Sequence, residues 1–367
     1  MSGRLRVAFD VTPTIGRVTG VGGFTLHLRD ALLHRSDVEL VPYAVTWRGR
    51  RGAGAQRVAM PARAMRRAWL RSDHPVIERF TGRVDVVHGT NFVVPPTRRA
   101  GAIVSVHDLT VVRFPELCTA DTLQYPALVR RAMQRGAHVH TDSAFVAGEV
   151  AAWLGLGAER IHVVAPGVAL LPPAYGPAAF GGRPFVLALG TVEPRKDLPS
   201  LIGAFAALAS GHPDPLLVIA GPDGWGSDAL ARAIANLPSI IRTRIIRRGW
   251  VDDQTRAALL RDASVFAYPS LYEGFGFPPL EAMQAGVPVV ATSTGSLPEV
   301  LGDAAILVDP GDVAALAEAI ERLLCDAAAA AAMVQRGRDH VVGMTWDASA
   351  AAMLDAYRSI GVVGAYA

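Results

Sequence analysis

The sequence predicts an α/β protein built from two doubly wound domains, each with a parallel sheet covered by helices on both faces. Three observations support this. The chain has 367 residues, which suits two domains of roughly 150 to 200 residues better than one. Short apolar runs alternate with helical patterns along its whole length, as in parallel sheets with crossover helices. Residues 166–184 concentrate proline and glycine, which favours a linker there.

In the first half, the strand-like runs are rich in β-branched residues and the helical patterns are amphipathic. The predicted strands cover residues 5–9, 38–45, 84–87, 102–106, 138–141 and 161–164. The predicted helices cover residues 24–34, 122–135 and 145–154.

The second half repeats this alternation. Its predicted strands cover residues 185–189, 216–220, 245–248, 265–268, 287–291 and 306–308. Its predicted helices cover residues 198–209, 229–235, 253–261, 280–285 and 313–324, and a last helix covers 347–360.

These elements predict four segments. Residues 1–170 form an N-terminal Rossmann-like domain on the acceptor side, and 171–184 form the linker. Residues 185–345 form a C-terminal Rossmann-like domain that binds the nucleotide, and 346–367 carry a helix that packs back on the first domain. Because ligands bind beyond the carboxyl ends of parallel strands, we expect the two domains to face each other across a cleft.

Composition excludes several classes of protein. Hydrophobic residues make up 51% and charged residues 19%, which excludes a disordered chain. No apolar run approaches the roughly 20 residues of a membrane span, and the N-terminus shows no leader pattern. Two distant cysteines predict neither a disulfide framework nor a metal cluster, so we expect a cytoplasmic protein.

Charge is divided unevenly. Residues 1–183 hold 23 arginines and 13 acidic residues, a net charge of +10, whereas residues 184–367 carry a net charge of −7. A basic half indicates an anionic partner. Residues 47–71 hold eight arginines and no acid, interspersed with Trp47, Met60, Met65, Trp69 and Leu70. We expect either a solvated loop or a basic amphipathic surface, which would contact an anionic membrane at the inner face of the cell membrane or a phosphorylated acceptor. No motif for nucleic acid is present.

Lys196 is the only lysine, against 35 arginines. It lies in Gly190-Thr191-Val192-Glu193-Pro194-Arg195-Lys196-Asp197, between a predicted strand and a predicted helix. A glycine turn, two cations and a helix N-terminus together form an anion site. A compact ammonium at this one position indicates a role that a guanidinium does not fill.

A second candidate follows the strand at 265–268. Tyr272-Glu273-Gly274-Phe275-Gly276-Phe277-Pro278-Pro279-Leu280-Glu281 combines glycines, which allow close approach to a ligand, with prolines that suit a helix start. We expect Glu281 in the first helical turn, where the dipole favours a carboxylate.

The first half offers weaker candidates. His107 lies at the end of a predicted strand and is a candidate functional histidine, and His88, after another predicted strand, is the alternative candidate. Gly22 and Gly23 precede the first predicted helix without forming a dinucleotide fingerprint. The sequence has no Asp-x-Asp, His-x-x-x-His or cysteine pair, so we expect no metal and no cofactor.

Taken together, these motifs resemble glycosyltransferase family four, the retaining enzymes of GT-B architecture. The resemblance covers essentially the whole chain. It rests on the two motifs above and on Val218-Ile219-Ala220-Gly221, Gly249-Trp250-Val251, Ala285-Gly286-Val287-Pro288-Val289-Val290 and Gly295-Ser296-Leu297-Pro298-Glu299-Val300.

The resemblance implies a role for each matching position. Arg195 and Lys196 hold the donor diphosphate, while Glu273 and His107 contact the transferred sugar; these four form the implied catalytic set. The implied donor-binding set also contains Gly22, Gly23 (toward the acceptor side), Gly190, Thr191, Trp250, Val251, Gly274, Phe275, Gly276, Leu280 and Glu281. Trp250 and Val251 flank the base, and Glu281 binds the ribose. The family usually has Asn where this chain has Asp197, which leaves the role of that position open.

The implied function is metal-independent, retaining transfer of a sugar from a nucleoside-diphosphate sugar to a glycan or lipid-linked acceptor. GDP-mannose is the preferred donor and a UDP-sugar the next. Two alternatives stay open: an epimerase or phosphorylase of the same architecture, and a module that binds nucleotide sugars without turnover. The sequence leaves the oligomeric state open.

Overall fold

The computed structural model describes residues 4–16, 18, 20–47, 55–212 and 214–361. The chain divides into two compact units. The first unit contains the described residues up to Gly167 and those from Met344 onward, and the second contains Val168–Gly343. Each unit is a parallel sheet with its own apolar core.

The first unit is built on a seven-stranded parallel sheet in the order β3-β2-β1-β4-β5-β6-β7. The strands are β1 (Leu5–Asp10), β2 (Val38–Val45), β3 (Gln56–Val58), β4 (Val86–Gly89), β5 (Gly101–Ser105), β6 (His138–Thr141) and β7 (Ile161–Val163). The helices before the linker are α1 (Gly20–Leu33), α2 (Ala62–Arg71), α3 (Glu78–Thr81), α4 (Thr110–Arg113), α5 (Tyr125–Gln134) and α6 (Ala144–Leu154).

The second unit is built on a six-stranded parallel sheet in the order β10-β9-β8-β11-β12-β13. Its strands are β8 (Phe185–Leu189), β9 (Leu216–Ala220), β10 (Ile245–Gly249), β11 (Val265–Tyr268), β12 (Val289–Thr292) and β13 (Ile306–Val308). Its helices are α7 (Leu198–Gly211), α8 (Ser227–Ala235), α9 (Ser239–Arg242), α10 (Asp253–Asp262), α11 (Phe277–Ala285), α12 (Leu297–Leu301), α13 (Val313–Cys325) and α14 (Ala327–Val341).

The predicted fold class is therefore confirmed: both sheets are parallel, and central strands such as β8 and β9 are buried along their whole length. The strand β3 was not predicted. It is a three-residue edge strand in the arginine-rich segment, and its residues Gln56 and Arg57 are exposed. An edge strand needs no continuous apolar run, so the hydrophobic pattern does not reveal it.

The last helix, α15 (Trp346–Gly361), packs on the first unit. The Ser349 hydroxyl donates to the carbonyl of Ala165 at 2.7 Å, and the Tyr357 hydroxyl is hydrogen-bonded to His88 Nδ1 at 2.6 Å. Gly101 lies so close to Ile360 that a β-carbon there would be 2.4 Å from its side chain. Residues 362–367 lie outside the described part of the chain.

The boundary between the units lies between Gly167 and Val168, slightly before the position predicted at 170. The predicted linker belongs to the second unit, because the backbone N–H of Ala179 donates to the Asp262 carboxylate at 2.7 Å. Arg261 also donates to the carbonyl of Ala174 at 3.1 Å. Prolines and glycines in this segment mark irregular structure that is still anchored by hydrogen bonds.

Among the helices of the described residues, none has both the length and the apolar character that crossing a bilayer requires.

Candidate functional site

The order in which strands are added to the second sheet reverses between β8 and β11, although all the strands are parallel. Strands β9 and β10 lie on one side of β8, while β12 and β13 lie beyond β11. At such a switch point the loops leaving two adjacent strands diverge and leave a crevice beyond the carboxyl ends. The loop after β8 carries Arg195 and Lys196, and the loop after β11 carries Glu273. Chain topology therefore brings together three of the four residues of the implied catalytic set.

Lys196 is buried, with 9% of its surface exposed. Its ammonium donates to Glu273 Oε1 at 2.6 Å and to the Tyr268 hydroxyl at 2.5 Å, and it lies 4.5 Å from the centre of the Tyr268 ring. Burial lowers the pKa of Lys196, while the Glu273 charge counteracts that effect. An ammonium has three protons to donate, and side chains of the described residues accept two of them.

Glu273 is held between two cations. Arg195 donates to its Oε2 at 2.8 Å, and Lys196 donates to its Oε1 at 2.6 Å. Burial alone would raise the pKa of Glu273, but the charges of Arg195 and Lys196 outweigh it and lower the pKa to about 2. The carboxylate is therefore ionised at neutral pH. Arg195 is oriented in turn by Glu193, 2.9 Å from its Nε.

The Glu273 backbone is fixed by the motif 295–300. The N–H of Ser296 donates to the Glu273 carbonyl at 3.0 Å. A β-carbon at Gly295, where φ is +58°, would lie 2.4 Å from that carbonyl oxygen. Only glycine permits this approach, so the glycine in this motif serves to position Glu273.

Asp197 has a backbone role. Its φ and ψ are both 43°, in the left-handed region, where the short 3₁₀ turn Pro194–Lys196 ends and α7 begins. Asn and Asp tolerate this conformation far better than other residues with a β-carbon. The geometry therefore accounts for a chain that has Asp where the resembled family usually has Asn.

The helix that carries Glu281 begins earlier than expected. α11 starts at Phe277, with Gly276 as its N-cap at φ +98° and prolines in its first turn. Glu281 is the fifth helical residue, and no acid lies in the first turn, so the expectation that the helix dipole favours this carboxylate was wrong. Glu281 is instead buried and ion-paired with Arg256 of α10. Leu280 is fully buried, so its side chain faces the core.

The remaining donor-binding positions of the second unit lie at strand ends. Gly190 follows β8 with φ +140°, and a β-carbon there would contact Lys196 Cε at 3.6 Å. Thr191 follows it, and Gly274 and Phe275 follow Glu273. Trp250 and Val251 follow β10 at the sheet edge, and Trp250 is 57% exposed.

His107 follows β5 in the first unit. Its Nδ1 lies 2.7 Å from Asp142 Oδ2, and its Nε2 lies 2.9 Å from the carbonyl oxygen of Thr90. Both partners offer acceptor oxygens to the ring. Burial would lower the pKa of His107, but the Asp142 charge and hydrogen bond outweigh it and raise the pKa. The surroundings of His107 therefore favour its protonated form.

His88, the alternative candidate histidine, is fully buried between two hydroxyl groups. Its Nδ1 is bonded to Tyr357 and its Nε2 to Ser105 Oγ at 2.8 Å. Burial, with the neighbouring His140 and His107, lowers the pKa of His88 well below its usual range. A neutral histidine that ties α15 to the sheet has a structural role.

Gly22 and Gly23 lie inside α1, which begins at Gly20, so the expectation that they precede the helix was wrong. A β-carbon at Gly22 would lie 2.9 Å from the Pro13 carbonyl oxygen, which indicates close packing between α1 and the turn after β1. The following residue, Phe24, lies edge-on to His107 with ring centres 4.8 Å apart. Of the two glycines, only Gly22 is in a tightly packed position, since a β-carbon at Gly23 would meet no atom within 4 Å.

The arginine-rich segment contains α2, whose apolar face packs into the core of the first unit. Met65 and Trp69 are buried in the core of the first unit, and Trp69 Nε1 donates to the Pro75 carbonyl at 3.1 Å. Arg63 is paired with Asp121 at 2.6 Å. Arg48, Arg50 and Arg51 lie outside the described residues. The α2 surface is therefore basic without an apolar stripe, and membrane contact stays a prediction.

In the part of the chain that the structure describes, no group of three His, Cys, Asp or Glu side chains is arranged as a metal site. Two residues of the clusters were missed by sequence reasoning: Tyr268, the last residue of β11, and Asp142, the residue after β6. Both lie at carboxyl ends of strands, where parallel sheets bind ligands, but the sequence does not otherwise distinguish them from neighbouring strand-end residues.

Two parallel-sheet α/β domains, one with paired cations at its switch point, define a protein of the GT-B class. Residues 177–340 match the family described as "Glycosyl transferases group 1". O-antigen chain mannosyltransferase B of Escherichia coli is 30% identical over 300 residues, 74% of this chain and 74% of that protein. The protein described here therefore belongs to the glycosyl transferases group 1 family and is a glycosyltransferase by descent.

Solved structures share the fold at lower identity. Sucrose-phosphate synthase from Thermosynechococcus elongatus has a TM-score of 0.74 and 19% identity, over 98% of this chain and 100% of that one. WaaG, a glycosyltransferase involved in lipopolysaccharide biosynthesis, has a TM-score of 0.71 and 18% identity, over 97% of this chain and 99% of that one.

Removing the Glu273 charge should change how stability depends on pH. The folded pKa of about 2 lies below the ordinary value of 4.5, so this carboxylate stabilises the fold above pH 4.5, and the stabilisation is lost as pH falls toward 2. Glu273→Gln should lower the free energy of unfolding by about 3 kcal/mol at pH 7, because the buried Lys196 loses its counter-charge and the partly buried Arg195 keeps only Glu193. Denaturant titrations followed by tryptophan fluorescence should show this difference shrinking steadily below pH 4.5. The exposed Glu318→Gln serves as control, and a difference that is constant with pH would contradict the assignment.

Substitutions at Asp197 should separate backbone geometry from charge. Asp197→Asn should retain stability because asparagine tolerates positive φ, whereas Asp197→Val should lose about 1–3 kcal/mol. Thermal unfolding of both variants measures this. Equal stability of the valine variant would mean that the left-handed conformation is not required.

Proposed function

We propose that this protein transfers mannose, with retention of anomeric configuration, from GDP-mannose to a hydroxyl group of a glycan or lipid-linked acceptor. The observation that carries the proposal is the cluster of Lys196, Arg195 and Glu273 at the switch point of the second sheet. The mannosyltransferase relative supports the choice of sugar. A UDP-sugar remains the second choice of donor.

The charges of this cluster suit a diphosphate leaving group. When the bond between the sugar C1 and the phosphate oxygen breaks, negative charge grows on the diphosphate. Fixed cations in a site shielded from water stabilise that charge, and one well-placed donor contributes about 3–4 kcal/mol. In the proposal, the third proton of Lys196 and the guanidinium of Arg195 meet the phosphate oxygens, while Glu273 holds both cations in place and contacts the sugar.

The protonation states argue against a protein general base among the implied catalytic residues. Both ring nitrogens of His107 are already hydrogen-bonded to Asp142 and to the Thr90 carbonyl, and the low pKa of Glu273 makes it a weak base. We therefore assign the acceptor proton to the leaving-group oxygen. The acceptor oxygen attacks C1 on the face that the diphosphate leaves, the C1–oxygen bond to phosphate breaks, and the acceptor proton ends on the diphosphate. This step retains the anomeric configuration.

The other donor contacts follow the resemblance. Trp250 and Val251 would flank the guanine base, and Glu281, oriented by Arg256, would accept hydrogen bonds from the ribose hydroxyl groups. Gly274, Phe275 and Gly276 would offer backbone N–H groups. Because Lys196 and Arg195 supply the positive charge, the proposed reaction is independent of metal. For the arginines of residues 47–71, we propose electrostatic contact with anionic acceptor lipids.

Removing the Lys196 charge should abolish most turnover. Lys196→Met keeps much of the side-chain volume without the ammonium, and the number of turnovers with GDP-mannose should fall about 10²- to 10³-fold. Lys196→Arg should also fail, because a planar guanidinium does not replace a compact ammonium bonded to Tyr268 and Glu273. The exposed Arg322→Ala is the matched control. Near-normal turnover of the methionine variant would remove the proposed role.

Product analysis in excess chelator separates the alternatives. A mannosylated acceptor with an α-linkage supports the proposal. An epimerised donor without acceptor, or a sugar phosphate formed from inorganic phosphate, would indicate the other enzyme classes. Binding of GDP-mannose without any product would indicate a binding module, and a strict need for a divalent metal would contradict metal independence.

A further inference from the structure

The first unit contains a buried chain of hydrogen bonds that runs from the last helix into the sheet. The Tyr357 hydroxyl of α15 lies 2.6 Å from His88 Nδ1, and His88 Nε2 lies 2.8 Å from Ser105 Oγ. Ser105 Oγ lies 2.9 Å from His140 Nδ1, and His140 Nε2 lies 3.1 Å from the Val164 carbonyl oxygen. We call the four side chains of Tyr357, His88, Ser105 and His140 the histidine chain, and all of them are fully buried.

The partner at one end of the histidine chain fixes the direction of its bonds. Burial lowers the pKa of His140 to about 4, so only one of its ring nitrogens carries a proton at neutral pH. The Val164 carbonyl can only accept, which assigns that proton to Nε2. The bare Nδ1 then accepts from the Ser105 hydroxyl, whose single proton is used in this bond. Ser105 Oγ must therefore accept from His88 Nε2.

His88 and Tyr357 continue the same direction. Burial, with the neighbouring His140 and His107, lowers the pKa of His88 well below its usual range, so a proton on Nε2 leaves Nδ1 bare. Burial raises the pKa of the Tyr357 hydroxyl well above its usual value, so this group keeps its proton and donates it to His88 Nδ1. All four bonds run one way, and each ring nitrogen of the histidine chain has a partner. A buried network satisfied in this way selects one tautomer for each ring.

The histidine chain ends beside the aspartate that holds His107. Asp142 Oδ2 is hydrogen-bonded to His107 Nδ1 at 2.7 Å, while Asp142 Oδ1 has no hydrogen-bond partner among the described residues. His140 Nε2 lies 3.7 Å from that Oδ1, beyond hydrogen-bond distance but near enough for its N–H to stabilise the carboxylate charge. The opposite tautomer of His140 would place a lone pair there. A protonated His140 would be a second cation that competes with His107 for Asp142.

Ring packing joins the same groups along a second route. The Phe24 ring is stacked on His140, with ring centres 5.6 Å apart, and lies edge-on to His107 at 4.8 Å. Trp346, the first residue of α15, packs edge-on against Phe24 with ring centres 5.9 Å apart. The helix α15 therefore reaches the surroundings of His107 both through Tyr357 and through Trp346.

We propose that the histidine chain positions His107, because it holds His140 as a neutral donor toward Asp142 and so leaves the charge of Asp142 to His107 alone. His140 is then a positioning residue, since it is fully buried and acts through Asp142. Tyr357 supports it from α15 by keeping His88 in the tautomer that donates to Ser105. The importance of His107 for turnover rests on the proposed function.

NMR of the full chain with ¹⁵N-labelled histidine tests the direction of the histidine chain. Long-range ¹H–¹⁵N correlation spectra distinguish the two neutral tautomers from each other and from the charged ring. At pH 7 we expect the Nε2–H tautomer for both His88 and His140. The Nδ1–H tautomer or a charged ring at either position would overturn the proposal.

Two substitutions of His140 test its effect on His107. His140→Phe keeps a ring against Phe24 but removes the N–H that faces Asp142. The His107 Nδ1–H proton should then exchange with water about three- to tenfold faster, and kcat should fall by a similar factor while the KM for GDP-mannose stays unchanged. His140→Gln, whose amide can still donate, should restore part of both quantities. A merely structural role would lower the unfolding temperature of both variants without changing the His107 exchange.

His340 of the second unit provides the matched control, because its Nε2 also contacts a backbone carbonyl, that of Val300 at 2.7 Å. His340→Phe should leave kcat, KM and the His107 exchange rate unchanged. Wild-type exchange in His140→Phe, or equal acceleration in the phenylalanine and glutamine variants of His140, would overturn the proposal. The exchange measurement needs no turnover. If exchange responds as expected but kcat does not, the positioning of His107 stands and its role in the proposed function fails.

Discussion

A buried lysine and a partly buried arginine beside one carboxylate set the main constraint on the second unit. Taking Lys196, and most of Arg195, out of water is unfavourable, and a close, well-oriented counter-charge offsets that effect. Glu273 provides it, and the pKa of this carboxyl group, lowered to about 2, measures how strongly the cations favour its ionised form. The surrounding features serve this arrangement. The left-handed turn at Asp197 directs the two cations, Glu193 orients Arg195, and Gly295 admits the Glu273 backbone.

The two units apply the same topological rule to different chemistry. In each sheet the central pair of strands diverges, and polar side chains collect beyond their carboxyl ends. In the second unit these side chains are strongly charged and paired with one another, which suits an anionic leaving group. In the first unit they include Asp10, whose pKa is raised to about 6 by burial, and no pair of cations comparable to Arg195 and Lys196 lies beside it among the described residues. His107 belongs to neither cluster and is hydrogen-bonded to Asp142.

Sequence alone predicts the fold well, because the buried parallel strands are continuous apolar runs. The edge strand β3 is not predicted, because two of its three residues are exposed and the hydrophobic pattern does not mark it. The pairing of Lys196 with Glu273 follows from adjacent strand ends. The second partner of Lys196, Tyr268, cannot be distinguished in the sequence from an ordinary strand residue. The helix predicted over residues 280–285 begins three residues earlier, at Phe277, because the two prolines form part of its first turn. The Tyr43 hydroxyl, which is buried without a hydrogen-bond partner among the described residues, has no sequence signature, because such a group is recognised only when its surroundings are known.

A crystal structure of the full chain with GDP-mannose bound would test the central claim most directly. The account predicts diphosphate oxygens within hydrogen-bond distance of Lys196 Nζ and of the Arg195 guanidinium, with Glu273 still bonded to both cations. A diphosphate bound elsewhere in the second unit, with Lys196 still bonded only to Tyr268 and Glu273, would contradict it.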